Sequence, residues 1–515
     1  MGSVYDELNW RVCVLILLVS FSCLFLSRRT VIALRRSRVI RKHRCESPPA
    51  IPQRDPLFGL DIVFEVLSSV KKRKRNISLG QLFGTYGSTI KSRVYNTTKI
   101  FTIEPRNLQS VFATDFDSWG VEPVRLFFFE PFVGKGVMTT DGPLWQHYRD
   151  SIRPTFSRVQ LTNLSAYKVH VDRLLDLIPS NGAIIDVQPL FEKLALDSST
   201  ELLFGTSTAS LTPNSSIDAK AFLKAYNYGQ SGVGRRRQLL PWNLLTRDQQ
   251  FWRSCAIARA FVTKCVHQNV EQYSKRHSPT RQPVTSKLVL AQELLAKTRD
   301  ITEITNQLLN VFLPAHDATA VALTNIFFHL ARHPEIHAKL HREVITTMSE
   351  DLGHEEWTFD RLKSCRCLQN VMRETFRLNP SIGQMNRAAL RDTILPTGGG
   401  PNGSSPIFVK KGTVLTTSFY ALHRLPRYFG ADAKEWRPER WDNLKVEHWS
   451  YLPFGGGPRI CVGQQLALTE VGYAVARIVE RFPRIERADP VFEFVEDWKI
   501  TTVSANGAKV RLFKS

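Results

Sequence analysis

The chain has 515 residues, 43% of them hydrophobic and 10% aromatic. It is therefore long and apolar enough to bury a sizeable core, and its composition is not that of a disordered chain. Its formal net charge is +22 at pH 7, and its eight cysteines show neither a disulfide framework nor the paired spacing of a zinc site, which favours a reducing compartment.

Near its N-terminus the chain carries an uncharged apolar run from Val12 to Leu26, preceded by Asp6 and Glu7. The run is slightly short for a membrane span, but Trp10 and the stems of the following arginines lengthen it at a thin bilayer. Basic residues follow, namely Arg28, Arg29, Arg35, Arg36, Arg38, Arg41, Lys42 and Arg44, and then Lys71 to Arg75. Such clusters also suit nucleic acid, but their position beside an apolar run favours a membrane, with the rest of the chain in the cytosol.

We predict four segments: a lumenal tail over residues 1–9, a transmembrane anchor over 10–28, a basic and proline-rich linker over 29–56, and one large domain over 57–515. A cleaved signal peptide is the alternative to the anchor. Against it, the basic residues follow the apolar run, and no A-x-A cleavage site ends it. In the cytosol the N-glycosylation sequons are unused; they start at Asn76, Asn96, Asn163, Asn214 and Asn402.

Past the linker no change in composition divides the chain, and most of its periodicity is helical. We predict helices over 165–178, 219–230, 250–276, 302–332, 334–348, 359–378 and 464–482, and short strands over 99–103, 413–417 and 509–513. The predicted fold is therefore mainly α with a minor β region, preceded by one N-terminal transmembrane helix.

Two stretches in the first half of the domain suggest binding surfaces. The phenylalanine-rich segment 126–132, together with Phe312 and Leu313, suggests an apolar pocket. Packing in an ordinary hydrophobic core explains these residues equally well. Trp145 and Arg149 lie one helical turn apart, which places an indole N–H and a guanidinium where they can hold one carboxylate.

Three further groups carry polar chemistry. Pro314 interrupts the long apolar helix and frees the carbonyl group of Asn310. Glu374 and Arg377 share one helix face, a pattern that by itself usually marks a surface ion pair. Cys461 ends a glycine-rich loop directly before a helix, where backbone N–H groups and the helix dipole stabilise a thiolate that can bind a metal.

The segment around Cys461 resembles the haem-binding signature of cytochrome P450 enzymes, F-x-x-G-x-R-x-C-x-G. Its five fixed positions are filled by Phe454, Gly457, Arg459, Cys461 and Gly463. The resemblance covers most of residues 80–515. It is strongest to the fungal branch that hydroxylates alkanes and fatty acids, particularly in segments 398–406 and 429–441.

The resemblance implies the cytochrome P450 fold and a haem b cofactor, iron-protoporphyrin IX, whose iron is bound by Cys461. It assigns cofactor contacts to Phe454, Trp145, Arg149, Arg387 and Arg459, of which Arg387 matches the family pattern least well. It also assigns a buried structural triad that supports the thiolate loop, formed by Glu374, Arg377 and Arg440.

The resemblance also identifies a departure in the long helix. Family members usually have an acid followed by a hydroxyl residue, and this pair delivers protons during oxygen activation. Here Asp317 holds the acid position, but Ala318 holds the hydroxyl position and Thr319 comes one residue later. One residue rotates a side chain by about 100° around a helix, so Thr319 replaces the missing hydroxyl only if the helix is distorted. We predict Asp317 and Thr319 as catalytic residues.

The implied activity is oxidation of a hydrophobic small molecule with O2 by a haem-thiolate monooxygenase. No flavin- or nicotinamide-binding segment is evident, so electrons are expected from NADPH through a separate NADPH-cytochrome P450 reductase at the endoplasmic reticulum membrane. The substrate is expected to be an alkane, a fatty acid or a secondary-metabolite intermediate, and no nucleic-acid partner is expected. A dehydratase, isomerase or desaturase of the same fold stays open because of Ala318, and a non-catalytic haem-binding protein is a further alternative.

Overall fold

The protein is described by a computed structural model over residues 2–95, 97–156, 164–213, 215, 217–238, 248–276, 289–349 and 356–514. Helices dominate these ranges, as the helical periodicity requires. The first nine are α1 (Gly2–Lys42), α2 (Leu60–Lys71), α3 (Arg75–Tyr86), α4 (Pro105–Gln109), α5 (Glu122–Val133), α6 (Gly142–Ile152), α7 (Ser165–Leu177), α8 (Gln188–Phe204) and α9 (Ile217–Gln238). The others are α10 (Gln249–Arg276), α11 (Leu290–Leu295), α12 (Ile301–Leu330), α13 (Pro334–Ser349), α14 (Phe359–Ser364), α15 (Arg366–Leu378), α16 (Phe419–Leu422), α17 (Pro426–Phe429) and α18 (Gln464–Arg481).

Twelve short strands form four small sheets in the described part of the chain. They are β1 (Thr89–Val94), β2 (Thr97–Thr102), β3 (Trp119–Gly120), β4 (Asn181–Asp186), β5 (Gln384–Ala389), β6 (Thr393–Gly399), β7 (Ser405–Val409), β8 (Val414–Ser418), β9 (Arg484–Arg487), β10 (Glu496–Trp498), β11 (Thr502–Ser504) and β12 (Lys509–Phe513). The largest sheet has the order β1-β2-β8-β5-β3, with β2 and β8 parallel. A three-stranded sheet has the order β4-β12-β9, and β6-β7 and β10-β11 are antiparallel pairs.

Helix α12 lies at the centre of the helical region. It begins at Asp300, whose carboxylate accepts hydrogen bonds from the backbone N–H groups of Thr302 and Glu303. It packs along α8 and also contacts α10, α15 and α18. Its N-terminal half contributes Leu308 and Phe312 to one apolar cluster, and its C-terminal half contributes residues to a second cluster with α15 and α18. Because α12 is buried on nearly all sides, apolar residues occur along its whole length and not on one face only.

The mainly helical fold with minor sheets is confirmed. Each predicted helix overlaps an observed one and most bounds agree within two residues, but the helix predicted over 219–230 continues to Gln238. One predicted helix, over 359–378, is instead the pair α14 and α15. They are separated at Cys365, whose ψ of 91° is extended. The apolar pattern continues across this break because both helices bury their faces in the same core cluster.

Helix α1 is apolar and long enough to cross a membrane, and none of its apolar window is buried against the protein. The helix does not end with the apolar run. It continues through the basic residues that the sequence analysis places in the linker and ends at Lys42. Helix α12 also meets the length and hydropathy criteria, but 83% of its apolar window is buried inside the domain.

Candidate haem site

The loop that carries Cys461 approaches another backbone segment very closely. Gly457, at φ +68°, begins a short 3₁₀ turn, and a Cβ atom there would lie only 1.7 Å from the carbonyl oxygen of Phe112. Only glycine fits this position. After the turn, the backbone N–H of Cys461 donates to the carbonyl oxygen of Phe454 over 3.0 Å. This hydrogen bond closes the loop two residues before Gly463, the N-cap of α18.

The sulfur of Cys461 faces a space enclosed by the protein. Its surface is accessible, yet removal from bulk solvent raises the pKa of the thiol, while the Gly463 backbone N–H and the charge of Arg149 act to lower that pKa. Cys255 and Cys367 are instead buried, and burial raises the pKa of both thiols to about 12. Cys461 therefore differs from the packed cysteines in having its sulfur available to a ligand.

One stripe of α12 is also accessible, although most of this helix is buried. Pro314 is exposed, and Ala315 and Ala318 are half-buried. Ala315 and Val462, the residue after Cys461, pack against the same apolar cluster. The apolar stripe and the end of the cysteine loop therefore adjoin one interior region, the apolar cluster that both contact.

Buried guanidinium groups outnumber acids beside this region. Arg125, Arg387 and Arg459 interact with a single carboxylate, Asp141. Burial and the charges of Arg125 and Arg459 hold the pKa of Arg387 well below its usual range. Burial and the neighbouring arginines lower the pKa of Arg459 to about 10, against the opposing effect of Asp141. An excess of desolvated positive charge is costly unless an anion binds there.

Arg459 is held in place by several groups around it. It donates to the carbonyl oxygen of Thr140 and to Asp141, both at 2.7 Å, and lies 4.3 Å from the ring centroid of Trp145. Its Nε atom is buried and has no hydrogen-bond partner within the described protein. Arg149, one turn after Trp145, donates to the carbonyl oxygen of Ile460 over 2.9 Å. The tertiary structure thus brings the predicted Trp145, Arg149, Arg387 and Arg459 together beside the cysteine loop.

These residues fit a haem. The group requires a thiolate for its iron, an apolar enclosure for its ring and cationic partners for two carboxylates. Cys461 is an accessible thiol, the α12 stripe is apolar, and the arginine cluster has donor capacity and positive charge in excess of Asp141. A haem b is consistent with all three observations.

Glu374 and its partners form a fully buried ion network. The Glu374 carboxylate accepts two hydrogen bonds from Arg377, at 2.8 and 2.9 Å, and one from Arg440 at 2.7 Å. It also accepts from the Trp441 indole and the Arg437 backbone N–H. The charged side chains are at most 2% exposed. Because every charge is paired, this network joins α15 to the segment 437–441 without leaving a buried ion unpaired.

The network reaches the cysteine loop through His423. Arg377 donates to the carbonyl oxygen of His423 over 2.7 Å, and the His423 Nε2 atom accepts from the Leu452 backbone N–H over 2.9 Å. Burial and the charges of Arg377 and Arg424 lower the pKa of His423 to about 3, so the ring stays neutral and can accept. Phe454 packs edge-on against Phe376 of α15. Both contacts tie the start of the loop to α15.

The predicted proton-transfer residues lie at different positions on α12. Asp317 accepts hydrogen bonds from Gln230 of α9 and interacts with the ring of His316 over 2.9 Å. His316, Asp317 and Glu192 line a cavity of about 300 Å³ between α8, α9, α12 and the residues around β11. Thr319 is buried, with 5% of its surface exposed, whereas Ala318 lies on the accessible stripe. The structure therefore does not bring the Thr319 hydroxyl to the position that Ala318 occupies.

Sequence reasoning missed Arg125, Asp141, Gln230 and Glu192. Arg125 directly precedes the phenylalanine-rich segment, and a basic residue next to this apolar segment was the one local indication of its role. Nothing local in the sequence marked Gln230 or Glu192, because they meet Asp317 only through the packing of α8 and α9 on α12.

Fold and site together define a haem-thiolate oxidoreductase. The sequence profile of the Cytochrome P450 family matches residues 49–497, and the chain belongs to this family. It is thus an enzyme of the cytochrome P450 monooxygenase class, which contains haem and receives electrons from a redox partner.

Several curated relatives match nearly the whole chain. "Cytochrome P450 monooxygenase himC" of Aspergillus japonicus is 35% identical over 471 residues, covering 91% of this chain and 84% of that protein. "Cytochrome P450 monooxygenase iccC" of Talaromyces variabilis is 34% identical, covering 97% and 98%. "Cytochrome P450 52A13" of Debaryomyces hansenii is 35% identical, covering 93% of each chain.

Replacing Glu374 tests the buried network. Glu374→Gln leaves Arg377 and Arg440 without their shared anion, so we expect a loss of about 3–5 kcal/mol of unfolding free energy and a lower yield of haem-loaded protein. Denaturant unfolding followed by circular dichroism measures the loss. Glu439→Gln is the control, because Glu439 pairs with Lys339 at the surface and its removal should cost less than about 1 kcal/mol. Equal losses of unfolding free energy in both variants would contradict a structural role of the Glu374 network.

Replacing Arg125 tests the cationic cluster. Arg125→Met removes one donor facing the expected carboxylates, so haem should transfer to apomyoglobin about tenfold faster or more. Lys135→Met removes the same charge from an exposed position nearby and should leave the rate unchanged. The cluster would not be a carboxylate site if both variants lost haem at the wild-type rate.

Proposed function

We propose that the protein is a membrane-anchored monooxygenase that hydroxylates a hydrophobic small molecule resembling an alkane, a fatty acid or a secondary-metabolite intermediate. The supporting observation is that the loop of an accessible thiol and an apolar stripe of α12 adjoin one interior region. A substrate held against Pro314, Ala315 and Ala318 meets only apolar surface there, which favours a lipophilic molecule. The names of the relatives give the reaction class and no substrate.

Different residues of the chain would contact the iron, the carboxylates and the substrate side of the cofactor. Cys461 would bind the iron, and Arg125, Arg387, Arg459, Trp145 and Arg149 would hold the two carboxylates. When bound, haem would supply the oxidising chemistry. The Glu374 network keeps the cysteine loop in place, and the apolar enclosure excludes water from the substrate side.

Asp317 is the proposed proton donor. Its carboxylate is held by Gln230 and His316 at the wall of a cavity that also contains Glu192 and Lys499, so protons can enter from the polar side of α12. Thr319 remains a proposed partner that acts only if α12 opens near Pro314, which donates no backbone hydrogen bond. The geometry favours Asp317 as the more important of the two residues.

The accessible stripe of α12 supports a second candidate function. Pro314, Ala315 and Ala318 present no hydroxyl group to the interior region. Among the alternatives of the same fold, a dehydratase or an isomerase requires less proton delivery than a hydroxylase, and such a stripe suits either of them. A monooxygenase reaction is favoured because Asp317 occupies the acid position of the family pattern and lines a polar cavity.

The proposal includes the membrane and the redox partner. Helix α1 serves as a single-pass anchor in the endoplasmic reticulum membrane, with residues 1–9 lumenal, 10–28 in the bilayer and the catalytic domain, residues 57–515, cytosolic. The segment 29–56 joins them. NADPH-cytochrome P450 reductase supplies electrons from the side of the molecule that carries the cysteine loop.

Cys461→Ser tests the assignment of the iron ligand. Because an alkoxide does not replace a thiolate, the variant should lose the far-shifted Soret band that reduced, carbon monoxide-treated wild-type protein gives. Cys367→Ser, at a buried cysteine, should keep the band. A variant at position 461 with an unchanged spectrum would remove the basis of the proposed function.

Asp317→Asn tests the proton donor. With reductase, NADPH and lauric acid as a probe substrate, we expect product formation about 100-fold slower, the lower end of the usual effect of losing a general acid. Thr319→Ala should change turnover and the ratio of product to NADPH less than about twofold, because the hydroxyl is packed away from the accessible stripe. A larger effect at Thr319 than at Asp317 would reverse the assignment.

A further inference from the structure

The glycine-rich segment 398–406, which the sequence analysis singled out, has no part in the haem site. It forms the end of β6, the start of β7 and the turn between them. This hairpin lies against the chain that leaves α1, so the anchor helix and the domain meet here. The joint between them is built from one ion pair and a short stretch of backbone pairing.

The ion pair joins α1 to the turn between β5 and β6. The Nε and Nη2 atoms of Arg36 donate to the two carboxylate oxygens of Asp392 over 2.7 and 2.9 Å. The backbone N–H of Lys411 also donates to Asp392 over 2.8 Å. Arg36 and Ile40, one turn apart, are half-buried, whereas Arg38 on the other side of the helix is exposed. One face of the helix therefore contacts the domain.

The residues after α1 pair with the hairpin. The backbone N–H of Glu46 donates to the carbonyl oxygen of Pro406 over 2.8 Å, and the backbone N–H of Gly400 donates to that of Ser47 over 3.1 Å. The Ser405 hydroxyl donates to the Glu46 carboxylate over 2.9 Å. The two backbone bonds run in opposite directions between the same two segments, as in a strand pair, and together they resist separation of the segments.

The glycines allow this close approach. A Cβ atom at Gly399 would lie 2.6 Å from the carbonyl oxygen of Glu46 and 2.9 Å from that of Pro406. At Gly400, with φ +74°, it would lie 2.4 Å from the Glu46 carboxylate. Any larger residue at position 399 must displace the backbone that follows α1. The segment is therefore shaped to receive residues 46 and 47.

The length of α1 places this joint near the membrane surface. Arg36 is eight residues beyond Arg28, the first basic residue after the apolar run, which is about 12 Å along a helix. The headgroup layer extends roughly 5–8 Å beyond the hydrocarbon core on each side. Arg28 and Arg29 therefore lie at the level of the lipid phosphates, and the joint lies just outside the headgroup layer.

We propose that Arg36–Asp392 and the glycine-rich hairpin dock α1 rigidly onto the domain, so that the domain sits at one fixed height and tilt on a bilayer whose facing leaflet contains anionic lipid. This inference rests on the membrane anchoring proposed above. The rigid helix orients the domain, and the exposed arginines of α1 bind the phosphates.

The test uses the full-length haem-loaded protein in bilayer nanodiscs that contain phosphatidylserine. Hydrogen exchange measures how fast the amides of Glu46 and Gly400, which donate across the joint, exchange with solvent. Linear dichroism of the haem absorption on oriented bilayers measures the tilt of the haem plane relative to the bilayer.

Asp392→Arg should speed exchange of both amides about threefold or more and broaden the distribution of haem tilt. The exchanged pair Arg36→Asp with Asp392→Arg should restore both readouts. Arg38→Asp, which makes the same change of charge on the exposed side of α1, should leave exchange of both amides unchanged.

A second variant breaks the joint without changing any charge. Gly399→Ala should speed exchange of the same amides and broaden the tilt, whereas Gly84→Ala, where a Cβ has open space, should do neither. The proposal is overturned if the tilt stays narrow in Asp392→Arg and in Gly399→Ala, or if the exchanged pair restores nothing. Failure of the anchoring itself is distinct, because wild-type protein would then leave the bilayer in a carbonate wash.

Discussion

The Glu374 carboxylate is the contact on which the rest of the site depends. Five donors from α15 and the segment 437–441 satisfy its two oxygens, and none of the charged partners is accessible to water. Through Arg377 the same network fixes the backbone of His423, whose neutral ring holds Leu452 at the start of the cysteine loop. The start of the cysteine loop is thus connected by hydrogen bonds to a buried ion network some distance along the chain.

A second constraint follows from the charge of the interior. The protein buries several guanidinium groups around the single carboxylate of Asp141, an arrangement that is stable when further negative charge binds. Helix α12 separates this region from a polar one. Its accessible stripe is apolar, while His316 and Asp317, which lie outside the stripe, line a cavity with Glu192. One helix therefore excludes water from one side and offers titratable groups on the other.

Much of the fold and of the haem site could be predicted from the sequence, because the residue patterns that indicate them are local. The helices that carry the site have strong 3.6-residue periodicity, and the loop before Cys461 fills a short motif whose residues act within ten positions. Trp145 and Arg149 were likewise predictable, since one turn of a helix fixes their separation. The break at Cys365 was not, because two helices that bury their faces in one core retain a continuous apolar pattern.

The sequence by itself determined the family, the helical fold, the thiol and the apolar N-terminal helix, since each is encoded in consecutive residues. Only the tertiary structure decided which distant groups share a charge or a cavity: Arg125 with Arg387 and Asp141, or Gln230 with Asp317. It also decided that the glycine-rich hairpin meets the end of α1, more than 350 residues earlier in the chain. Electrostatic and steric complementarity depend on distances in space, and the order of residues along a chain does not contain those distances.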